Sequence, residues 1–353
     1  MASYDFVDAA RDGNLNRVVQ LLDRGIDVNT TAMFHPYRTA LHFAAMNGQT
    51  AVVRALIRNK ANLDATDKDN VTALDLAIEH GRLDTVALLL ENIDDVDASR
   101  NTNGETFLFR SVCHSHMEAA ALLIERGADV NATNHAGDTP LHMIARSNRV
   151  QDACFLLQHG ADTNLTNSNG WTPLMAAADG NWVELAGVLL ENGAKSDLVN
   201  TEGNSALLLA AANNHCEAVS LLVEHNASRR ILNNNGQTAL MVATALDFWK
   251  VIRILLAGAS RDDINLQNHN GDTTLILACE KGNMDVVKLL LANGAKVDLM
   301  NKTGTTALKA SMVHNRADLL DVILCAHAEF FGHYSDVPVA IVGDGMLNRK
   351  DCR

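Results

Sequence analysis

The chain has 353 residues, more than one hydrophobic core usually spans, and only 4% of them are aromatic. Small and branched side chains must therefore supply the apolar contacts, which favours thin, closely stacked layers over one thick core. Lys and Arg number 29 and Asp and Glu number 42, so the formal net charge is −13. An acidic chain repels nucleic-acid phosphates and anionic lipids, and we expect neither a nucleic-acid nor a membrane partner.

The N-terminal sequence and the cysteines indicate the compartment. The segment MASYDFVDAARDGN lacks an apolar run, so no signal peptide is evident, and no stretch of about 18 apolar residues follows. The six cysteines are far apart in the sequence and form no CxxC motif. Disulfide and zinc frameworks usually have tighter, patterned spacing. We therefore expect free thiols and a cytoplasmic protein, with a nuclear location as the alternative.

The strongest signal in the sequence is a repeat. A Thr or Ser followed two residues later by Leu recurs at intervals of 33 to 35 residues. A period of this length is typical of solenoid proteins, in which each repeat is one supersecondary unit. The nine positions are Thr39, Thr72, Thr106, Thr139, Thr172, Ser205, Thr238, Thr273 and Thr306.

Each repeat predicts two helices joined by a turn. The Thr or Ser suits the N-cap of a first helix, and Pro140 follows one of them at a position where no backbone N–H is needed. Small pairs such as Ala44-Ala45 lie in the first helix, and leucine pairs such as Leu156-Leu157 lie in the second. Gly160-Ala161 or a relative then ends the second helix. One repeat cannot cover its leucine face alone, so we expect the repeats to stack.

Several segments depart from this pattern. Residues 3–12 fit a first helix without the Thr, which adds a tenth repeat at the N-terminal end. Two extra residues precede Thr39 and two more lie within residues 258–263, and we expect both insertions to project as surface loops. Asn70 replaces a turn glycine and tolerates positive φ. From Ala328 onward no further helix pair is visible.

These residues resemble the ankyrin repeat, a unit of about 33 residues whose pattern includes T-P-L-H-x-A. Thr139-Pro140-Leu141-His142 matches this pattern, and Thr39-Ala40-Leu41-His42 and Thr172-Pro173-Leu174-Met175 each differ at one residue. The resemblance implies an all-α solenoid of stacked helix-turn-helix units with short β-hairpin loops over residues 1–327, followed by a C-terminal tail at 328–353. The ten repeats would start near residues 4, 39, 72, 106, 139, 172, 205, 238, 273 and 306.

No motif in the sequence indicates catalysis. Cys113-His114-Ser115-His116 would need a further ligand to hold zinc, and its place in the repeat indicates a structural turn. The motifs GxSxG, HExxH, GxGxxG and the phosphate-binding P-loop do not occur. The resemblance gives His42 and His142 hydrogen-bonding roles within and between hairpins. We therefore expect that the protein is not an enzyme and that it has no catalytic residue, metal or cofactor.

The resemblance also implies a concave groove, lined by first helices and hairpin tips, that binds a partner. In repeats seven and eight these positions are mostly apolar although the fold does not need apolar residues there, which is typical of a binding surface. The alternative is that these side chains belong to the core. The candidates for partner binding are Met143, Arg146, Trp171, Asp179, Leu209, Val242, Ala245 and Leu246. Equivalent positions elsewhere include Phe43, Arg110 and Asp138, whereas Met175, Trp182, Phe248 and Trp249 are expected in the core.

The function implied by the resemblance is protein binding. We expect a monomeric scaffold or adaptor that binds another protein, whose identity the sequence does not give. Two alternatives stay open: a substrate-targeting subunit, for example of a ubiquitin ligase, and a host-directed effector of an intracellular bacterium. Asn131 lies in a segment similar to those that asparaginyl hydroxylases modify in ankyrin repeats, although a turn Asn bonded to its own backbone would look the same.

Overall fold

The computed structural model describes residues 2–32, 37–97, 101–313 and 317–331. These ranges hold 21 helices, and their extended pairings are isolated antiparallel bridges such as that between Gln267 and Thr273. None of these helices combines the length and the apolar character that a membrane span requires. The prediction of an all-α fold is confirmed.

Twenty of the helices form ten pairs, as the repeat pattern predicts. The first helices are α1 (Ala2–Arg11), α3 (Ala40–Met46), α5 (Ala73–Glu79), α7 (Phe107–Cys113), α9 (Pro140–Arg146), α11 (Pro173–Asp179), α13 (Ala206–Ala212), α15 (Ala239–Ala245), α18 (Thr274–Lys281) and α20 (Ala307–Val313). The second helices are α2 (Leu15–Asp23), α4 (Thr50–Arg58), α6 (Leu83–Leu90), α8 (Met117–Glu125), α10 (Val150–Gln158), α12 (Val183–Glu191), α14 (Cys216–Glu224), α16 (Trp249–Leu256), α19 (Met284–Ala292) and α21 (Ala317–Phe331). A short extra helix, α17 (Arg261–Ile264), lies between the eighth and ninth pairs.

The predicted Thr and Ser residues start the first helices. The side-chain oxygen of Thr106 accepts the backbone N–H of Phe109 at 3.2 Å, and that of Thr238 accepts the N–H of Met241 at 3.2 Å. Each cap satisfies a backbone donor that has no partner inside its helix. The helix starts therefore follow from a residue type that can be read in the sequence.

From α5 onward, the hairpin before each first helix is folded by one Asn or Asp side chain. In the fifth repeat, Asn134 Oδ1 accepts the N–H groups of Ala136 at 2.9 Å and of Asp138 at 3.0 Å. The backbone N–H of Asn134 also donates to the carbonyl of Asp138 at 3.0 Å, which closes the hairpin. Equivalent side chains fold the other hairpins, at Asp67, Asn101, Asn167, Asn200, Asn233, Asn268 and Asn301.

Contacts within the chain form two compact bodies. The N-terminal body comprises Met1–Ala176 with Glu191–Ala194, and the C-terminal body comprises Ala177–Leu190 with Lys195–Arg353. Inside the N-terminal body α3 packs against α1 and α5, and inside the C-terminal body α15 packs against α13 and α18. Alanines such as Ala44 and Ala210 are fully buried in these packed helices. Their small side chains let neighbouring first helices approach closely, so each repeat covers the next.

The structure corrects the prediction for the second insertion. Residues 258–263 were expected to form a projecting loop, but Arg261–Ile264 is the short helix α17. Ser260 accepts the N–H of Asp263 at 3.2 Å, and Asp263 accepts the N–H of Ser260 at 2.9 Å, so the two residues form a capping box. Ile264 is 1% exposed and holds the turn against the body.

Of three further expectations, two fall at least partly within the described residues. Asn70 has a φ of 57°, as expected for a residue that replaces a turn glycine. The first insertion includes residues 33–36, which lie outside the described residues. The last helix, α21, runs to Phe331, four residues beyond the predicted end of the repeats, and the rest of the predicted tail lies outside the described ranges.

The prediction of free thiols holds for some cysteines and is wrong for one. Cys113, Cys154, Cys216 and Cys279 are free, whereas Cys325 is disulfide-bonded. A disulfide depends on the distance between two cysteines in the folded chain, and separation along the sequence does not set that distance.

Candidate partner-binding surfaces

Two buried histidines connect successive hairpins of the N-terminal body. Nδ1 of His42 and of His142 each accepts the N–H of the residue three positions earlier, at 3.2 Å and 3.1 Å. Nε2 lies 3.2 Å from the carbonyl oxygen of Val71 for His42 and 2.9 Å from that of Trp171 for His142. These contacts fit a neutral ring with its proton on Nε2. Burial lowers the pKa of both histidines, so the predicted structural role is the one their geometry supports.

The third repeat has Asp75 where the second and fifth have histidine. Asp75 accepts the N–H of Thr72 at 2.8 Å, and its Oδ1 lies 3.0 Å from Nη1 of Arg110 on α7. The two side chains of this ion pair are only 3% and 6% exposed, and burial raises the pKa of Asp75. Arg110 also lies 3.6 Å from Glu79. From the family pattern, Arg110 was predicted to lie on the concave face. It is instead buried in an ion pair and offers little surface to a partner.

A second ion pair holds one of the predicted contact residues. Arg146 donates to both carboxylate oxygens of Asp138, at 2.7 and 2.9 Å, and Asn167 donates to the same carboxylate at 2.8 Å. Burial alone would raise the pKa of Asp138, but the hydrogen bonds from Arg146 and Asn167 outweigh it and lower the pKa. Arg146 is 44% exposed, and Met143 and Trp171 are half-buried. These three candidates remain accessible within the N-terminal body.

In the C-terminal body, helix α15 has one accessible face and one buried face. Met241 and Ala243 are 0% exposed, whereas Val242 and Ala245 are half-buried and Leu246, directly after the helix, is 48% exposed. The spacing of three and four residues places the accessible residues on one face. Their apolar side chains meet solvent, as the hypothesis of a binding surface requires.

The remaining candidates of the C-terminal body are less accessible. Leu209 is 8% exposed, so for this residue the alternative of a core position fits better. Asp179 is half-buried, and its carboxylate accepts a hydrogen bond from Asn213 at 2.7 Å. The carbonyl of Asp179 lies 2.8 Å from Nε2 of His215. Asp179 therefore helps to join the first helices of adjacent repeats.

An exposed tryptophan that the sequence pattern did not predict lies next to this surface. Trp249 was expected in the core, but it is 42% exposed at the first position of α16, and this expectation is wrong. The guanidinium carbon of Arg253 lies 5.9 Å from the centroid of the Trp249 ring, a cation–π arrangement. A signal was present in the sequence, because Asp247-Phe248-Trp249 follows directly on Leu246 and places two bulky rings at a turn.

The residues considered for catalysis or metal binding form a turn. Ser115 has a φ of 62°, and Nε2 of His116 lies 3.2 Å from the carbonyl oxygen of Glu79 in the preceding repeat. Burial raises the pKa of the Cys113 thiol to about 11, so it is protonated and weakly nucleophilic at neutral pH. Within the described ranges, no group of three or more His, Cys, Asp or Glu side chains is placed to hold a metal ion.

An open cavity of about 660 Å³ lies against the first repeat. Tyr4, Leu21 and Ile26 line it together with the ion pair of Asp5 and Arg17, whose Nε lies 2.9 Å from the carboxylate. None of its described lining residues is His, Cys or Ser.

Asn131 bridges two hairpins. Its Oδ1 accepts the N–H of Asp162 at 2.8 Å, and its Nδ2 donates to the carbonyl of Gly160 at 3.2 Å. The expected alternative, a turn Asn whose side chain bonds its own backbone, is therefore replaced by a contact with the next hairpin. Asn265 makes the equivalent contacts in the C-terminal body, with the N–H of Lys296 at 2.7 Å. Hydroxylation of Asn131 stays a prediction.

Comparisons with known proteins agree with this architecture. The family model of ankyrin repeats, in three copies, matches residues 6–101, 92–167, 128–198, 152–229, 183–262 and 248–331. Inversin of Mus musculus is 35% identical over 127 residues, which are 35% of this chain and 12% of inversin. Subunit AVO2 of the target of rapamycin complex 2 of Saccharomyces cerevisiae is 32% identical over 139 residues, which are 38% of this chain and 32% of that protein.

A solved structure shows the same fold. The ankyrin repeat domain of Bcl-3, a member of the IkappaB protein family, has 29% sequence identity and a TM-score of 0.57, and the match covers 62% of this chain and 97% of that one. The chain spans less than a third of the length of the two curated relatives. Since the family model covers residues 6–331 and the repeats fold as described, the chain belongs to the ankyrin repeat proteins.

Proposed function

We propose that this chain is a non-enzymatic scaffold or adaptor that binds another protein through its first helices and hairpin tips. Ankyrin repeats are general protein–protein interaction modules, and the chain carries them over most of its length. One relative is itself named as the subunit of a protein complex. The proposal adds that the chain works as a monomer in the cytoplasm, which sedimentation and cell fractionation can test.

One observation supports this proposal most directly. On α15 the side chains of Val242, Ala245 and Leu246 share one face and meet solvent, although the opposite face already supplies the packing of that helix. Exposure of apolar side chains to water is unfavourable in free energy, and a partner that covers them removes this penalty. The first helices of the N-terminal body present ion-paired side chains such as Arg146 beside single apolar ones such as Met143, so the apolar face of α15 is the better candidate.

Proximity labelling in the native cell tests the proposal. The labelling enzyme is fused to the full chain, and the labelled proteins are compared between the unmodified chain and the variants Val242→Ser and Leu246→Ser. We expect a distinct set of labelled proteins to be lost in both variants, while far-UV circular dichroism stays unchanged. Leu83→Ser is the control, since Leu83 is 40% exposed on α6 of the other body. An unchanged set in both variants would contradict the proposal.

A further inference from the structure

The surface around Leu246 and Trp249 is flanked by cations. Lys250 and Arg253 lie on α16, a helix that carries no carboxylate, and Lys281 lies at the end of α18. The ammonium of Lys281 donates to the carbonyl of Ala245, next to Leu246. Leu246 and Trp249 are 48% and 42% exposed. We call these five residues, Leu246, Trp249, Lys250, Arg253 and Lys281, the Trp249 patch.

The cations of the Trp249 patch are not held in close ion pairs. In the described part of the chain, Lys250, Arg253 and Lys281 form no ion pair. The nearby carboxylate of Asp247 accepts a hydrogen bond from the amide of Asn283 at 2.9 Å. The carboxylate of Glu217 is attracted by Lys250 and accepts a hydrogen bond from Asn181 at 3.4 Å.

This arrangement differs from the other charged parts of the protein. The net charge of the chain is −13, and in the N-terminal body Arg38, Arg110 and Arg146 each pair with a carboxylate. The Trp249 patch instead combines two exposed apolar side chains with three cations that form no ion pair. A surface of this kind is complementary to an apolar anchor flanked by carboxylates, because the anchor covers Leu246 and Trp249 while the carboxylates meet the cations.

We propose that the Trp249 patch binds a segment of another protein that presents a bulky apolar residue with Asp or Glu on either side. This inference rests on the proposed function, since it names the chemistry of the partner for the accessible face of α15. It also extends that face from Leu246 across the turn to α16. Apolar burial supplies most of the affinity, and the charges select the acidic segment and speed its association.

A random dodecapeptide library displayed on phage is the probe, panned against the full chain. We expect the enriched peptides to contain Trp, Phe or Leu flanked by Asp or Glu. The best peptide is then synthesised with a fluorescent label, and its affinity is measured by anisotropy. Trp249→Ser should weaken binding by about 30-fold, since aromatic anchors at interface centres commonly contribute this much. Lys250→Glu combined with Arg253→Glu should weaken it about tenfold and remove most of its salt dependence.

Matched variants separate the patch from general effects. Leu83→Ser removes an apolar side chain of similar exposure at the first position of α6, the place that Trp249 holds in α16. Lys296→Glu reverses an exposed charge in the C-terminal body outside the patch. Both controls should leave the affinity within about twofold. Because the charge-reversed variant keeps Trp249, it tests the inference even if Trp249→Ser loosens the fold.

Several outcomes would overturn the inference. Enriched peptides that are basic or uncharged, or whose affinity is unchanged in both patch variants, would contradict it, as would a panning that enriches nothing. Peptides whose affinity is unchanged in the patch variants but falls in Val242→Ser would contradict only this inference. They would still support the proposed function. Tight binding of the chain to phosphatidylserine vesicles, lost in the charge-reversed variant, would assign the patch to a lipid surface instead.

Discussion

The buried pair of Asp75 and Arg110 gives the sharpest test of how this fold is stabilised. Replacing Arg110 by Met leaves a carboxylate that is 3% exposed with its hydrogen bonds to Thr72 but without its counter-charge. Breaking a buried ion pair from one side typically costs about 3–5 kcal/mol. The pKa of Asp75 is already raised by burial, so in the variant the loss should be largest at neutral pH and smaller in mildly acidic buffer, where the folded state binds a proton.

A double variant should restore most of the lost stability. With Asp75→His added to Arg110→Met, the third repeat would have the residue that the second and fifth repeats use, as His42 and His142 show. The new ring can accept the N–H of Thr72 without burying a charge. We therefore expect the double variant to lie within about 1 kcal/mol of the unmodified chain, because replacing both partners of a buried pair is often nearly neutral.

Urea unfolding followed by far-UV circular dichroism, on all four proteins of the cycle, measures this coupling. The reasoning would be refuted if Arg110→Met cost less than about 1 kcal/mol, a value usual for exposed ion pairs. It would also be refuted if the double variant were no more stable than the weaker single variant. The first result would mean that solvent reaches the pair, and the second that Asp75 has no role in common with the histidines.

The remaining predictions concern pH, the short helix and the hairpins. Since the folded-state pKa values of His42 and His142 lie below their usual 6.5, stability should fall as the pH drops below about 6.5, by up to about 1.4 kcal/mol per pH unit for each histidine; a flat profile in urea unfolding at different pH would contradict this. Ile264→Ala should cost about 2–5 kcal/mol in the same assay, because Ile264 is 1% exposed, and a cost near zero would mean that α17 does not hold the insertion. Gly137→Ala should lower the melting temperature more than Gly127→Ala: both have positive φ, but a Cβ at Gly137 would lie 2.8 Å from a backbone nitrogen of the next hairpin, whereas one at Gly127 would meet nothing within 4 Å. Equal decreases in melting temperature would show that the next hairpin moves to accommodate the Cβ at Gly137.

The elements could be predicted from the sequence because their signals are local. A Thr or Ser cap, a pair of alanines and a Gly or Asn with positive φ act within one repeat, so Thr106 and Asn70 could be interpreted without knowing the neighbouring repeats. The helix α17 was missed for a different reason. Ser260 and Asp263 form a capping box that is visible in the sequence. The burial of Ile264, which stabilises so short a helix, depends on the rest of the folded body and cannot be read from these residues.

The surfaces were harder to predict because accessibility depends on the adjacent repeat. Arg110 was assigned to the concave face, but it is 5% exposed in its ion pair with Asp75 of the preceding repeat, and Phe43 and Leu209 at the equivalent position are also buried. Leu209 and Leu246 were assigned to the same apolar stripe, yet one is 8% and the other 48% exposed. Trp249 shows the opposite error, since its size suggested the core while the turn before α16 leaves it in solvent. Residue type alone does not decide such positions.

The contrast between the charged and the apolar accessible residues indicates where binding energy can come from. In the N-terminal body Arg38, Arg110 and Arg146 each form an ion pair with a carboxylate of the same chain. A partner that binds one of these arginines would have to break that internal ion pair, which cancels much of the gain. Such pairs favour a defined fold more than they favour affinity. The side chains of Leu246 and Trp249 have no ion pair that a partner must break, although the Trp249 ring has its cation–π contact with Arg253. Covering them removes apolar surface from water, which is favourable. A partner that gains affinity from this chain should therefore gain most of it at α15 and α16, and the paired arginines should affect binding only through the stability of the repeats.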